Sequence, residues 1–363
     1  FMTVLGVAGC TALLLIGFGI QDSILPIVDK QSEQLTHNDM TIVLSDEKAL
    51  TMEQGLASTL DSSSAVRSWG AFYTKSTTLY NEEGGSADVS IVGAEDDARM
   101  TEYFTFRTRV GHDPIPFEED SVILTEKTAL NLGLSVGDTF YVEAADGSRV
   151  PLTLTGIAEN YMFTRLYLSG AQLESLLGGT PEWNTVYGLT GCATEAEYNA
   201  LRTKLLGCNY VSSVSFTEDT TSMFGSLIGS LNYVVVLIIV CAAALAAVVL
   251  YNLISVNLAE RKKELATIKV LGFYDKEVYR YIFREIELLS LIGSGVGLLL
   301  GVPLHRFIIL TVEMDQLMFI RTIAPRSYLL AVALTMLFTV VVCFAMRRHV
   351  RHISMVESMK APE

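Results

Sequence analysis

The chain has 363 residues, half of them apolar and only 18% charged, with a mean hydropathy of +0.39. That balance excludes a disordered chain and an ordinary soluble one, and calls for membrane spans. The net charge of −14 is uneven: residues 21–224 hold 12 Lys/Arg against 30 Asp/Glu, while residues 225–363 hold 14 against 10. The acidic block is a poor match for a nucleic-acid backbone, which needs Lys/Arg neutralisation, so no nucleic-acid partner is expected. The two blocks are expected to face different compartments.

Residues 1–20 form the first charge-free apolar run, and Phe1 already lies inside it. The chain is therefore expected to be part of a longer protein, and no signal-peptide n-region is visible. Three further runs follow. Residues 227–251 carry no charge, 286–312 carry only Glu287 and Arg306, and 327–346 hold none beyond the flanking Arg326. A bilayer-spanning helix needs about 20 apolar residues, so all four qualify.

Lys and Arg in short connections set orientation. Residues 257–284 and the basic tail 347–363 are rich in both and are expected inside. The Val312–Ser327 connection and the acidic block 21–226 are then outside. His305 and Arg306 are expected to snorkel from the third span to the outer surface.

The block 21–226 reads as one folded α+β domain. Short β-branched or aromatic runs at Val89–Val92, Phe104–Val110, Ser121–Leu124, Thr139–Val142 and Pro151–Ile157 predict strands. The turn Ala145-Asp146-Gly147 marks a hairpin. Helices are predicted at Thr51–Leu60, Glu126–Leu132, Gly170–Leu177 and Thr194–Leu206. Cys192 and Cys208 lie in this block and could pair if it is extracytoplasmic. The acidic clusters Glu95–Asp97 and Glu118–Asp120 lack the spaced ligands of a cation loop and read as solvated surface.

The most informative segment follows the second span. Glu260, Arg261, Lys263 and Glu264 make a solvated face, and Leu265, Ile268 and Leu271 recur at helical spacing. Gly272 ends that helix, and Asp275 is expected to cap the next one. From the residues alone this is either a basic loop that sets topology or a docking helix for a cytoplasmic partner. In the third span Gly293, Gly297 and Gly301 allow close helix approach, within one subunit or across a dimer. Glu285 and Glu287 sit at its inner edge, as coupling contacts or as interfacial carboxylates. The spans hold almost no ionisable group at depth, which argues against a polar conduit lined by this chain.

Enzyme chemistry has little support. There is no Gly-x-x-x-x-Gly-Lys-Ser/Thr loop, no His-Glu-x-x-His and no Gly-x-Ser-x-Gly. No catalytic residue, metal site or cofactor is expected in this chain.

The run Glu260-Arg-Lys-Lys-Glu-Leu-Ala-Thr-Ile-Lys-Val-Leu-Gly-Phe273 resembles the signature of FtsX/MacB-type ABC-transporter permeases. The glycine-rich third span and the tail Ile353–Lys360 resemble the same family, and Ser121–Asp138 is similar to its extracytoplasmic core domain. The opening Thr3–Gly19 is similar to the first span of the second repeat in large two-repeat Firmicutes-type permeases, so the chain is expected to be a C-terminal half.

The resemblance implies one span, an external MacB-like core domain and three more spans. It implies a separate cytoplasmic ATPase holding ATP and Mg, which docks at Glu260, Arg261, Glu264, Leu265, Ile268, Lys269, Leu271 and Gly272. It also implies mechanical transmission to the external domain, serving export or extraction of a lipid, lipoprotein or peptide, from the bacterial cytoplasmic membrane. The partner in the membrane would be a second repeat or a second copy. The alternative is a signalling protein whose external domain controls a cell-wall hydrolase or senses an antimicrobial peptide.

Overall fold

A computed structural model describes residues 2–52, 55–144, 147–260, 264, 267–268 and 274–351. The chain divides into a helical unit, residues 1–25, 228–312 and 320–363, and a sheet domain, Pro26–Leu227 with Glu313–Phe319.

The sheet domain has ten strands among the described residues. They are β1 (Met40–Leu44), β2 (Val66–Tyr80), β3 (Ser86–Ala94), β4 (Val122–Thr125), β5 (Thr139–Glu143), β6 (Arg149–Thr153), β7 (Gly156–Ala158), β8 (Arg165–Leu168), β9 (Thr185–Thr190) and β10 (Val211–Phe216). The main path runs β10-β1-β9-β2-β3-β8-β4-β7, with the β5–β6 hairpin joined to the end of β2. Pairing is antiparallel except for β3 with β8 and β4 with β7.

The central strands are apolar on both faces because each face has its own core. Successive side chains of a strand point to opposite sides. Tyr73, Ile91, Leu124 and Leu166 enter one cluster with Phe140, Leu132 and Leu173. Their neighbours Phe72, Val92, Ile123 and Tyr167 enter another with Met100, Tyr103 and Phe106. Helices Glu126–Leu132 and Gly170–Leu177 cover the first face, and Asp97–Tyr103 covers the second. The second core is built on aromatic pairs; Phe72 meets Tyr103 edge-on at 5.5 Å and Phe106 stacks on Phe117 at 5.1 Å, contacts each worth about 0.5–1.5 kcal/mol beyond area burial. A third cluster joins β1, β10 and helix Glu195–Leu206 through Ile42, Phe216 and Leu201.

Several sequence expectations are corrected here. Phe104–Val110 is not a strand: it makes only the isolated bridges Thr36 to Phe104 and Arg107 to Pro114. Its alternation instead buries Phe104 and Phe106 in the aromatic core. The helix over Thr51–Leu60 is replaced by Lys48–Thr51 and Leu56–Asp61, with Met52 extended at ψ 137° and Gly55 before the second piece. A Cβ on Gly55 would lie 2.6 Å from the Ala49 carbonyl oxygen. The β5–β6 hairpin forms, closed by Ala144 N–H donating to the Ser148 carbonyl at 2.8 Å; Ala145 and Asp146 lie outside the described residues.

In the helical unit four helices are long and apolar enough to cross a membrane. They belong to the helices Met2–Ile24, Thr217–Glu260, Asp275–Val312 and Pro325–Arg351. The first is the most buried and forms the centre of the packing. Leu14 and Leu15 meet Ala242 of the second helix and Ala331 of the fourth. Val7 meets Leu250, Ile254, Ile286 and Val342. Asp275 is the first residue of its helix rather than its cap; Glu277 reaches back to accept the Tyr274 N–H at 3.0 Å.

Candidate functional site

Two arrangements stand out, one in each unit. In the helical unit the third helix lies directly on the first. Cβ atoms added at Gly293, Gly297 and Gly301 would fall 2.8 Å from Val7, 2.5 Å from the Ala8 carbonyl oxygen and 2.9 Å from Leu15. The glycine row thus seats the first helix of the same chain. Beside it runs a line of buried hydroxyls. Thr11 Oγ1 lies 3.1 Å from Thr335 Oγ1 and 3.5 Å from Ser294 Oγ, and Thr339 Oγ1 donates to Ser290 Oγ at 3.4 Å. All five are fully buried. Hydroxyls between helices satisfy one another where no water is at hand, and small side chains keep the backbones close.

The outer end of this bundle is held by polar groups. His305 does not snorkel: it is 1% exposed, and its Nε2 lies 3.1 Å from Ser23 Oγ. Arg306 is exposed. Asp22 accepts from Ala324 N–H at 3.0 Å, Ser327 Oγ at 2.5 Å and Arg326 Nη2 at 3.2 Å, which ties the first helix to the start of the fourth.

The second arrangement is in the sheet domain. The seven residues Glu313–Phe319 leave the third helix, join the sheet domain and return to the fourth. This strap is anchored at three points. Lys127 Nζ donates to Glu313 Oε2 at 2.9 Å, with the Glu313 side chain 1% exposed. Phe163 N–H donates to the Gln316 carbonyl at 3.1 Å. Met318 N–H donates to the Tyr161 carbonyl at 2.9 Å, and Leu317 bridges Met162. Glu313 also accepts the Phe319 N–H at 3.0 Å and so closes the strap on itself.

The strap lands on a loop, residues 159–163, that also receives the segment following the first helix. Gln31 Oε1 accepts from Tyr161 N–H at 2.9 Å and Met162 N–H at 3.2 Å, while its Nε2 donates to Asn160 and Thr36, each at 2.8 Å. Every polar group of this buried glutamine amide is used. Glu159 is buried under the same loop and accepts from Arg107 Nε at 2.6 Å and Tyr161 Oη at 2.5 Å. His112, at φ +57°, stands 3.4 Å from the same carboxylate. Burial first, and the neighbouring Glu159 second, push the Tyr161 phenol above its ordinary value. The helix leading to the second span starts in this domain too, with Thr217 N–H donating to the Asp39 carbonyl at 2.8 Å. The segment after the first helix, the start of the helix leading to the second span and the strap are thus each hydrogen-bonded within the sheet domain.

The remaining sequence-chosen residues are placed as follows. Glu260 and Glu264 are exposed. Ile268 is half-buried against the cluster of Val7, Leu250, Val278 and Ile286, so its apolar side is covered by the chain's own bundle. Arg261, Leu265, Lys269, Leu271 and Gly272 lie outside the described residues. Glu285 is half-buried and Glu287 exposed. Cys192 and Cys208 are free thiols, not a disulfide. Both pack against the same cluster, but the Cys208 Sγ lies 3.5 Å from Thr59 Oγ1 and 3.7 Å from the Lys204 carbonyl.

Sequence reasoning missed the strap, the loop 159–163 and Asp22. The one available signal was the pair Glu313 and Asp315 directly after a span, and nothing local names their partners.

Four spanning helices with one large α+β domain between the first and second define a membrane-embedded permease with an extracellular domain. The MacB-like periplasmic core domain matches residues 2–203, more than half of the chain, and the FtsX-like permease C-terminal domain matches residues 236–355. The chain belongs to this FtsX/MacB-type family of ABC-transporter permeases. Among solved structures it is similar to the periplasmic region of MacB from Actinobacillus actinomycetemcomitans, at 14% identity over 52% of this chain and 93% of that one, with a TM-score of 0.33. It is also similar to the extracellular domain of the noncanonic ABC-type transporter YknZ from Gram-positive bacteria, at 17% identity over 49% of this chain and 100% of that one, with a TM-score of 0.31. A domain of a permease protein from Porphyromonas gingivalis matches at 13% identity over 47% and 83%, with a TM-score of 0.27. No curated protein matches the chain.

Proposed function

We propose that this chain couples a separate cytoplasmic ATPase to a change of shape in its extracellular domain. The observation that carries this reading is the strap. A peptide that runs directly out of one spanning helix and into another is fastened to the sheet domain by a buried ion pair and two main-chain hydrogen bonds. Displacement of the third or fourth helix then pulls on Glu313–Phe319, and through Leu317 and Met318 on the loop 159–163. The closely packed glycine row supports the same reading, since helices in backbone contact move as a unit rather than by side-chain rearrangement. The cytoplasmic end of this lever is the segment Glu260–Gly272, where the ATPase docks. The work serves export or extraction of a molecule on the outer side of a bacterial cytoplasmic membrane.

The test is a mild-detergent pull-down of the protein from its native membranes, with mass spectrometry for a P-loop ATPase. Wild type is compared with Leu265/Ile268/Leu271→Ser, which keeps every Lys and Arg. Recovery of an ATPase with wild type alone is expected. Recovery with neither, from correctly inserted protein, overturns the reading.

A further inference from the structure

Among the described residues, Arg165 is the one partly buried arginine of the sheet domain without a carboxylate partner. Residues 21–224 hold 30 carboxylates, and the other partly buried arginines find one: Arg107 meets Glu159 at 2.6 Å, and Arg109 grips Glu126 with two bonds of 2.8 and 2.9 Å. Among the described residues no carboxylate lies within ion-pair reach of Arg165. Its guanidinium instead lies 5.4 Å from the Phe104 ring and 5.8 Å from the Phe163 ring, with one long bond of 3.5 Å to Tyr167 Oη. A half-buried guanidinium without an anion is costly, and aromatic faces offset only part of that cost.

Arg165 lines a cavity of about 200 Å³ in the sheet domain, several times the ~30 Å³ share of one water. Among the described residues of that lining it is the only charged one, and none is a carboxylate. Around it stand the hydroxyls of Thr36 and Thr41 and the buried Tyr187, while Ser32 and Thr217 donate their O–H groups to the Val28 and Asn38 carbonyls. Thr36 and Thr41 accept from Gln31 and Asn38, which leaves their own O–H groups free to donate to a ligand. Phe163 lines the same cavity while 44% exposed and at φ +65°. A bulky side chain in the left-handed region is strained, and such strain gathers at ligand clamps.

We propose that this cavity binds a phosphate-sized oxyanion, with Arg165 as its counter-charge and the Thr36 and Thr41 hydroxyls as donors. A guanidinium fork matches the oxygen spacing of phosphate, and the apolar wall at Val28, Met162 and Phe163 admits an anion carried on an apolar body. The site goes beyond the coupling reading and needs no ATPase, so the two stand or fall separately.

The test is calorimetric titration of the full chain in neutral detergent, with inorganic phosphate in one arm and dihexanoyl-phosphatidylglycerol in the other. Saturable binding of at least one probe is expected. Binding of phosphate identifies a free anion as sufficient, and binding of the lipid alone identifies a headgroup. Arg165→Gln is expected to weaken binding at least tenfold, and Arg149→Gln, an exposed arginine stacked on Tyr80 at 3.7 Å, to leave it unchanged. Should Arg165→Gln fail to fold, Ser32→Leu decides, since it fills the cavity and keeps the cation; it is expected to abolish binding. Binding of neither probe, or equal binding by wild type and the folded variants at Arg165 and Ser32, overturns the proposal.

Discussion

Gly295 and Gly297 are two residues apart on one helix and face opposite surroundings. A Cβ at Gly297 would meet the Ala8 carbonyl oxygen at 2.5 Å and Thr11 Cβ at 2.7 Å, while one at Gly295 meets nothing within 4 Å. The blocking atom at Gly297 is backbone, so the helix itself must move; overpacking of this kind costs about 1–3 kcal/mol. Gly297→Ala is expected to lower the midpoint of thermal unfolding in detergent by several degrees, and Gly295→Ala to leave it unchanged or raise it, since alanine favours the helix. A comparable contrast exists at Tyr161. Its phenol is held protonated by burial and by Glu159, so the folded state keeps its proton where the unfolded chain has begun to lose it. Stability from this group is complete below the unfolded value near pH 10 and is lost as pH rises beyond it. Tyr161→Phe is expected to flatten the alkaline limb of the stability curve above about pH 10, measured by denaturant unfolding, at the cost of the Glu159 hydrogen bond at neutral pH.

At the scale of elements, the strap and the loop 159–163 form one structural joint. Lys127 is 14% exposed and Glu313 1% exposed as side chains, so removing the lysine takes a charge partner from a buried carboxylate and loosens the tie between the strap and the helix Glu126–Leu132. Lys127→Ala is expected to speed amide hydrogen exchange in residues 313–319 at least tenfold while β2 and β3 keep their protection; equal exchange in both proteins would mean that the ion pair does not hold the strap. This joint was also the least legible part of the chain. Spans announce themselves by composition, as in the charge-free stretch 227–251, and so do turns and caps, as in Thr194 with Glu197. A contact between Lys127 and Glu313 joins residues 186 apart, and no local pattern encodes it. His305 failed for the same reason: its partner Ser23 is 282 residues away, and position near a helix end alone suggests exposure. Phe104–Val110 shows the converse: its alternation predicts a strand, but it reflects the burial of Phe104 and Phe106, and the segment makes only isolated bridges.

For the whole molecule, each unit is closely packed within itself. The bundle packs backbone to backbone, and the central strands of the sheet are buried on both faces. The external domain and the four spans are readable from residues and spacing, and the family from the resemblance carried by residues 260–273. The strap and its anchors are not, because they rest on contacts distant in sequence. The most direct measurement is hydrogen exchange of residues 159–163 and 313–319 in the complete complex with its ATPase, with and without ATP. Exchange in both segments is expected to change on ATP binding, and to stop changing in Leu265/Ile268/Leu271→Ser. An ATPase that binds ATP and stays attached while both segments exchange at one unaltered rate would contradict mechanical coupling through the strap.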